Sequence, residues 1–508
     1  MKIMKSKINN LIFAVLIICV ICGLFLISCG ESAGNTPAPQ GEANNEANVS
    51  SPGDENNGDS ENNQNSQAQK PPLDLPDVKY NGYDFRVANI DQSSMTWVYT
   101  TIWAEEDTGV EVNDAVYLRN RLVEARFDIN IKEIVENSGG TIATKASRSI
   151  QAGSDDYDLF ITESPNTVGM AQKNQLYDYN EIPYVDLTQP WWDRDMVRDL
   201  SVGGRNHMVT GDFSMMHYGD TIGMFFNKKL LNDLGLESPY NIISEGKWTY
   251  DKFFDMAKDA SRDLNGDGKF DKDDQFGYMS LTHIWSPGFL ASAGMQSVGK
   301  DANDMHTFVM KNEKFIEVYQ KMIEIMHYGN MTFDADTAGN HRLQDIMFPN
   351  NQALFWSEVV HWATILRDMN ADFGIIIHPK FDETQTGYHN YVYPPPVMGV
   401  PATAPDIERT GMILEALCYE STDTVIKAYY EVLLKTKISR DDESEKTLDI
   451  MFQNRWYNLS NIFYGNEIYN PLNALSKKKD ADIVSWIEKN EGKILKAIEK
   501  NNNAFSEN

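Results

Sequence analysis

Cysteine is scarce in this chain, with four among 508 residues. Cys19 and Cys22 lie in an apolar run near the start, and Cys418 sits in the apolar stretch that begins at Gly411. Cys418 is therefore predicted to be a small core residue. So few cysteines exclude a disulfide framework, a Cys/His metal site and cysteine-based catalysis.

Basic residues are also in short supply, since 45 Lys and Arg face 74 Asp and Glu and leave a formal net charge of −29. Nucleic acids and anionic membrane surfaces both require Lys/Arg clusters, so neither is expected as a partner. The chain lacks a Gly-x-Ser-x-Gly elbow, a His-Glu-x-x-His helix and a phosphate-binding loop, and no catalytic residue is predicted. The chain is longer than a single hydrophobic core usually organises, so more than one domain is predicted.

The N-terminus has a different character. Lys2, Lys5 and Lys7 precede an almost uninterrupted apolar run over 11–27. Basic, apolar and small-residue regions in that order predict a signal peptide over residues 1–28. The alternative is a permanent transmembrane helix. Leu26-Ile27-Ser28-Cys29 resembles the lipobox of bacterial lipoproteins, which implies that Cys29 carries a palmitate-type diacylglycerol and becomes the first residue after cleavage.

Residues 29–77 contain little apolar material and many Asn, Gln, Glu, Gly, Ser and Pro. Such a composition cannot offset the entropy of ordering, so a disordered tether is predicted between the lipid and the folded body. The resulting location is the extracytoplasmic face of the cell membrane, with the lipid anchor as the only membrane contact.

An α/β fold is predicted from about Val78 onward, because alternating and helical periodicities follow one another. Strands are predicted at Tyr83–Ala88, 127–132 and 157–161. Helices are predicted between them, near 113–125 and 142–152, and later at 250–260, 313–327 and 425–436. Alternation of this kind is typical of a parallel sheet covered by helices.

Ligands of such sheets bind beyond the carboxyl ends of the strands. The residues in those positions are Asp91 and Trp97 after the first strand, Glu163 after the third, and Trp356 and Glu358 after the apolar run 352–355. An aromatic ring can stack on a sugar face, and a carboxylate accepts sugar hydroxyls, so a carbohydrate site is predicted here. The alternative for each tryptophan is core packing.

Residues 263–274 follow the spacing of an EF-hand calcium loop. The oxygen-bearing positions hold Asp263, Asn265, Asp267, Lys269 (through its carbonyl), Asp271 and Asp274. Gly268 occupies the tight-turn position, and Asp replaces the usual Glu at position 12. A structural Ca²⁺ is predicted, with Mg²⁺ or an acidic surface turn without an ion as alternatives.

Several short segments, in this order, resemble the carbohydrate-binding family of extracellular solute-binding lipoproteins that serve ABC importers, to which maltose-binding protein belongs. They begin with the strand approach 152–159, continue with Gly223–Leu231 and the helix start Lys247–Phe253, and end with Asp372–Ile376 followed by Pro379.

The resemblance implies two α/β lobes joined by a hinge, with the ligand cleft between them. It implies a first lobe of 78–208 plus 351–398 and a second lobe of 209–350 plus 399–508, with crossings near 209–211 and 399–400. It also implies further ligand contacts, which are placed at Asp212, Tyr218, Trp285 and Trp456.

The function implied is a monomeric receptor that delivers a carbohydrate, expected to be an oligosaccharide, to the transmembrane subunits of an ABC permease. Two alternatives remain open at this point. The first is a surface lipoprotein that acts as a sugar sensor partner or a glycan-binding adhesin. The second is a cell-surface enzyme acting on glycosides, which would need a pair of carboxylates at a defined separation.

Overall fold

The computed structural model describes residues 70–93, 101–435 and 442–506, which lie in one compact unit. Trp97, Cys29, the predicted signal peptide and most of the predicted tether lie outside the described residues. The strands are β1 (Tyr83–Ile90), β2 (Ile129–Glu136), β3 (Leu159–Glu163), β4 (Ile222–Asn227), β5 (Phe276–Ser280), β6 (Val298–Lys300), β7 (His306–Phe308), β8 (Thr332–Asp334), β9 (Ala353–Val359), β10 (Phe373–Ile376), β11 (Asn390–Val392), β12 (Pro396–Gly399) and β13 (Arg455–Tyr457).

The helices occupy most of the intervening chain. They are α1 (Glu111–Phe127), α2 (Gly139–Gln151), α3 (Ser164–Ala171), α4 (Arg194–Leu200), α5 (Met216–Gly219), α6 (Lys228–Asp233), α7 (Pro239–Ser244), α8 (Tyr250–Ala257), α9 (Thr282–Ser292), α10 (Glu313–Met326), α11 (Leu343–Met347), α12 (Ile407–Ser421), α13 (Lys427–Lys435), α14 (Asp442–Gln453), α15 (Leu459–Phe463), α16 (Asn470–Ser476) and α17 (Ile483–Ser506). The elements predicted from periodicity are observed with ends shifted by a few residues.

The first large sheet has the strand order β12-β3-β1-β2, and β1 pairs in parallel with both β2 and β3. Phe85 and Val87 pack with Phe127 on one face, while Ala88 and Ile90 pack with Phe160 in a second cluster. Both faces of this sheet are therefore covered, as expected for parallel strands between helices. We call this sheet and the elements packed on it the first lobe.

The second large sheet has the strand order β10-β4-β9-β5-β8. Its central strand β9 is parallel to β5 and antiparallel to β4. All residues of β9 are buried, which matches a strand covered on both faces. We call this sheet and its surrounding helices the second lobe.

The predicted division of the chain between the lobes is wrong in part. Strands β9 and β10 belong to the second sheet, although residues 351–398 were assigned to the first lobe. Helix α12 packs against α1 in the first lobe, although it was assigned to the second. Hydrophobic periodicity reveals individual strands and helices, but the sheet to which a strand belongs depends on pairing that periodicity does not specify.

Two segments that connect the lobes, 209–221 and 377–395, run beside each other. The amide of Met398 donates to the carbonyl of Val209 at 2.8 Å, and the amide of Tyr393 donates to the carbonyl of Asp220 at 2.9 Å. Gly399 pairs with Phe160 inside the first sheet, so the return crossing ends before Pro396 and the crossing predicted at 399–400 is displaced. The three prolines 394–396 close this segment.

The C-terminal helix α17 contacts both lobes. Ile483, Ile487 and Ile494 belong to the large core of the second lobe, whereas Phe505 packs beside Phe160 of the first sheet. Near its end, Asn501 accepts a hydrogen bond from the side chain of Gln172, 329 residues earlier in the chain. The tail beyond residue 461 thus bridges the two lobes.

Candidate functional site

The carboxyl end of the first sheet meets the corresponding edge of the second sheet at the connecting segments. Glu163 ends β3 and lies opposite Pro396, and the amide of Ser164 donates to the carbonyl of Pro395 at 3.4 Å. Asp220 directly precedes the second sheet and is tied to Tyr393 of the same segment. The end of β3 and the residues that precede β4 are therefore close to each other, and we call the region between them the cleft.

Glu358 contributes a second carboxylate from the second lobe. It stands near the end of β9, opposite Gly223 of β4, and is buried. Gln344 donates to one carboxylate oxygen at 2.6 Å, and the amide of Val359 donates to the other at 2.9 Å. Burial nevertheless raises the pKa of Glu358 to about 7, since these two bonds offset only part of the desolvation.

Asp220 is also buried, and its pKa is raised well above the ordinary carboxyl value. The first cause is burial, and the nearby charges of Glu163 and Glu358 add to it. The pKa of Asp220 thus responds to carboxylates of both lobes. The phenol of Tyr393 lies in the same field, because burial and then the charges of Asp220, Glu358 and Glu163 raise its pKa to about 12.

A group formed by Asp336, His283 and His341 lies next to the end of β8 in the second sheet. Asp336 follows β8 and accepts from the Nδ1 side of His283 at 2.8 Å, while His341 approaches its other oxygen at 2.8 Å. Burial opposes ionisation of Asp336, but the hydrogen bond and charge of His283 hold its pKa at about 2. The ring of His283 lies 6.1 Å from that of Tyr393, which connects this group with the cleft.

Of the residues predicted from strand ends, Glu163 and Glu358 both lie near enough to Asp220 for their charges to raise its pKa. Asp91 lies at the same edge of the first sheet, where its amide donates to the carbonyl of Glu136 and its carboxylate accepts from Ser93.

The structure gives packing roles to three other predicted ligand contacts. Trp356 has no exposed surface and packs between Phe225 and Phe348, and Trp285 is 1% exposed. Asp212 is buried and accepts from the hydroxyl of Thr422 at 2.7 Å. A strand end specifies a location but not the direction of the side chain, which explains the burial of Trp356. Asp212 and Trp285 were placed from the family resemblance and stay predictions as ligand contacts.

Tyr218 and Trp456 line surface cavities whose walls include none of the cleft carboxylates. Tyr218 lies with Tyr429, Tyr430 and Phe452 around a cavity of about 280 Å³. Trp456 borders a cavity of about 370 Å³ with Asn312 and Gln296, and its ring lies 4.4 Å from that of His389. Both residues stay predictions as ligand contacts.

Asp220, Asp336 and Tyr393 were missed by reasoning from the sequence. Asp220 precedes an antiparallel strand, so its place at this edge becomes apparent only when the direction of β4 is known. Tyr393 lies in an irregular segment, where its one visible signal is the run of prolines that follows.

The predicted calcium loop has the expected turn geometry. Gly266 and Gly268 have φ values of 74° and 77°, which favour glycine. Asp263 accepts from the amides of both glycines, and Asp274, with no exposed surface, accepts from the amides of Leu264 and Asp271. Within the described residues, no group of three or more His, Cys, Asp or Glu side chains is arranged to hold a metal ion.

None of the described helices has the length and apolar character needed to cross a membrane.

Solved structures similar to this chain share its fold. An ABC substrate-binding protein of Listeria monocytogenes, Lmo0181, solved with cycloalternan, aligns with a TM-score of 0.53 and 11% identity over 84% of this chain and 99% of its own. A cyclo/maltodextrin-binding protein complexed with maltotetraose aligns with a TM-score of 0.53 and 14% identity. The alignment covers 84% of this chain and 98% of that protein. A solute-binding protein of Thermotoga lettingae bound with α-D-tagatose aligns with a TM-score of 0.52 and 13% identity. The alignment covers 83% of this chain and 100% of that protein.

These matches establish a two-lobed solute-binding fold, as predicted. No curated protein sequence matches the chain. The model of the family described as bacterial extracellular solute-binding protein matches residues 118–407, which is more than half of the 508 residues. The chain belongs to the bacterial extracellular solute-binding protein family.

Proposed function

We propose that this protein is the extracytoplasmic substrate-binding lipoprotein of an ABC importer, which acts as a monomer and delivers a carbohydrate to the permease subunits. The observation that carries the proposal is the cleft, where the charges of Glu163 of the first lobe and Glu358 of the second both act on the buried Asp220. A solute bound to both lobes favours the closed arrangement, because only that arrangement makes both sets of contacts.

A carbohydrate suits the chemistry of the cleft. Carboxylates at Glu163 and Glu358 are strong acceptors for hydroxyl groups, and Tyr393 offers an aromatic ring beside them. The similar structures named above were solved with cycloalternan, maltotetraose and tagatose, which are all carbohydrates. An oligosaccharide is the proposed solute.

A calorimetric and thermal-shift screen over a sugar panel tests this proposal. At least one oligosaccharide should raise the melting temperature, and Glu163→Gln should weaken its binding about tenfold or more, because a charged acceptor is lost. Glu488→Gln, at an exposed position on α17, is the matched control and should bind as the unaltered protein does. Stabilisation by peptides or amino acids alone would contradict the carbohydrate proposal.

The alternatives predict different results. An enzyme would use two of the cleft carboxylates and release sugar from a glycan, whereas the family and the similar structures are binding proteins. We therefore propose that no product forms on incubation with glycans. Genes for a pair of multi-span permeases beside this one favour transport, and an adjacent histidine-kinase gene favours a sensor.

The lipid anchor at Cys29 is part of the proposal. Its support is the Leu-Ile-Ser-Cys motif after the apolar run. Labelled palmitate should enter the protein in its host, and Cys29→Ala should abolish both the labelling and recovery in the membrane fraction. Membrane recovery of Cys29→Ala without lipid would favour a retained transmembrane helix.

The loop 263–274 is proposed to bind a structural Ca²⁺. Hard oxygen donors at Asp263, Asp267 and Asp271 and the glycine turns support the proposal, since such loops wrap the ion with alternate positions. EGTA should lower the melting temperature, and Asp263→Ala should remove this sensitivity. Equal melting temperatures with Ca²⁺ and with EGTA would show that the loop closes through its backbone hydrogen bonds alone.

A further inference from the structure

Asp220 is a buried carboxylate without a partner. Its exposed fraction is 5%, and among the described residues its carboxylate accepts no hydrogen bond and forms no ion pair. Its two oxygens keep some contact with solvent, since neither is a fully enclosed atom without a hydrogen bond. A carboxylate that is largely desolvated and unpaired, yet still reached by solvent, points to a group supplied by the ligand.

The charges around Asp220 do not supply that partner. Its electrostatic neighbours are Glu163 and Glu358, and the phenols of Tyr391 and Tyr393 lie in the same field. Within the described chain, no Lys or Arg contributes to the field at Asp220.

The hydrogen-bond partners of Glu163 and Glu358 among the described residues include no Lys or Arg. Glu163 is bonded to the uncharged side chains of Asn166 and Thr162. Glu358 is bonded to Gln344 and the amide of Val359; His283 acts on it from a distance, while Asp345 adds a further negative charge. His283 itself is bonded to Asp336.

We infer that the solute carries a protonated amine, as an amino sugar does, and that its ammonium group binds between Asp220, Glu163 and Glu358. This inference rests on the proposed carbohydrate-binding function and names the class of carbohydrate. An ammonium group donates charge-assisted hydrogen bonds and neutralises part of the carboxylate cluster when the lobes close. A neutral sugar supplies hydroxyl donors but does not reduce the electrostatic repulsion among the three carboxylates. A uronic acid carries a further negative charge and increases that repulsion.

The binding of an amine has a pH signature. Because an ammonium group favours the ionised form of Asp220 and Glu358, binding releases protons from carboxyls whose pKa is raised in the free protein. Affinity for the amine should therefore increase as the pH rises from about 5 through the raised carboxyl pKa values, and it should stop increasing where the amine begins to lose its own proton. Affinity for a neutral sugar should fall or stay constant over this range.

Titration calorimetry with a glucosamine tetramer, the matching N-acetylglucosamine tetramer, cellotetraose and trigalacturonate tests the inference. At pH 7 the glucosamine tetramer should bind about 10–100-fold more tightly than either neutral tetramer. Asp220→Asn should remove most of this preference and flatten its pH dependence. Asp480→Asn, at an exposed position after α16, is the control and should preserve both.

Thermal unfolding of the free proteins separates binding from folding. Asp220→Asn should melt at or above the temperature of the unaltered protein, since it removes a largely buried ionisable group that has no partner. Tighter binding of a neutral tetramer or of trigalacturonate would overturn the inference but leave the proposed function standing. Absence of binding by every saccharide would overturn both. Stabilisation by Mg²⁺ or Ca²⁺ that Asp220→Asn abolishes would overturn the inference in favour of a metal ion.

Discussion

Replacing Arg455 by methionine should lower the free energy of unfolding by about 3–5 kcal/mol, the cost typical of breaking a buried ion pair. The Arg455 guanidinium lies 3.1 Å from the carboxylate of Asp193, and neither side chain is more than 7% exposed. Tyr457 and His217 also contact this carboxylate, at 2.6 and 3.0 Å. Without Arg455, the buried carboxylate keeps Tyr457, His217 and the amide of Met196, which donates at 2.9 Å, but it loses its guanidinium partner.

The pH dependence of this loss has a defined sign. Burial alone would raise the pKa of Asp193, but the charge of Arg455 and the hydrogen bonds hold it well below the ordinary carboxyl value. The pair therefore stabilises the fold above that ordinary value and is lost as the pH falls through the folded-state pKa. In Arg455→Met, burial raises the pKa of Asp193 with less opposition from a nearby positive charge. The loss in free energy of unfolding should therefore be largest near pH 7 and become smaller at acidic pH.

Urea unfolding of the unaltered protein and three variants measures the effect. Asp193→Asn in the Arg455→Met background should restore part of the lost stability, because it removes the unpaired charge. Arg198→Met breaks Arg–Asp contacts in which the Arg198 side chain is 55% exposed, and it should cost at most about 1 kcal/mol. Equal losses for Arg455→Met and Arg198→Met would contradict the role given to the buried pair.

Replacing Trp356 by alanine should destabilise the protein by about 3–5 kcal/mol, as for other large-to-small core substitutions. The ring is fully buried against Phe225 and Phe348, at centroid distances of 5.1 Å in both cases, and its Nε1 donates to Gln344 at 3.1 Å. Trp356→Phe keeps much of the packing and should cost less, with no more than a small change in sugar affinity.

Trp103→Ala is the matched control, because this tryptophan is 39% exposed and should contribute less than about 1 kcal/mol. Chemical denaturation gives the stabilities, and calorimetry gives the affinities. A loss of sugar binding in Trp356→Phe at unchanged stability would instead place this ring at the ligand, as the strand-end pattern predicted.

The sequence predicted the class of fold and part of the cleft for identifiable physical reasons. Glu163 follows a short apolar strand, and the rule for parallel sheets places its side chain at the ligand edge. The same rule failed for Trp356, because β9 is covered on both faces and its aromatic side chain is directed into a core. The rule could not predict Asp220, because Asp220 precedes β4, which runs antiparallel to β9, and the rule considers only residues that follow a strand.

Membership of the sheets was beyond sequence reasoning as well. The pattern of β9 is that of any buried strand, and its place beside β4 and β5 follows from pairing across long stretches of chain. The family resemblance suggested a chain path that assigned it to the wrong lobe, because the lobe boundaries were carried over by position alone.

The C-terminal helix has a consequence for the order in which the protein is made. The first lobe begins with β1 at Tyr83 but is completed by β12 and by Phe505 near the end of the chain. A polypeptide emerging from its N-terminus can pair β1 with β2 early, yet it lacks the last part of that core until Phe505 has been added. Contacts over such separations form slowly. The core of the first lobe therefore stays incomplete in a nascent chain while the whole second lobe is being made.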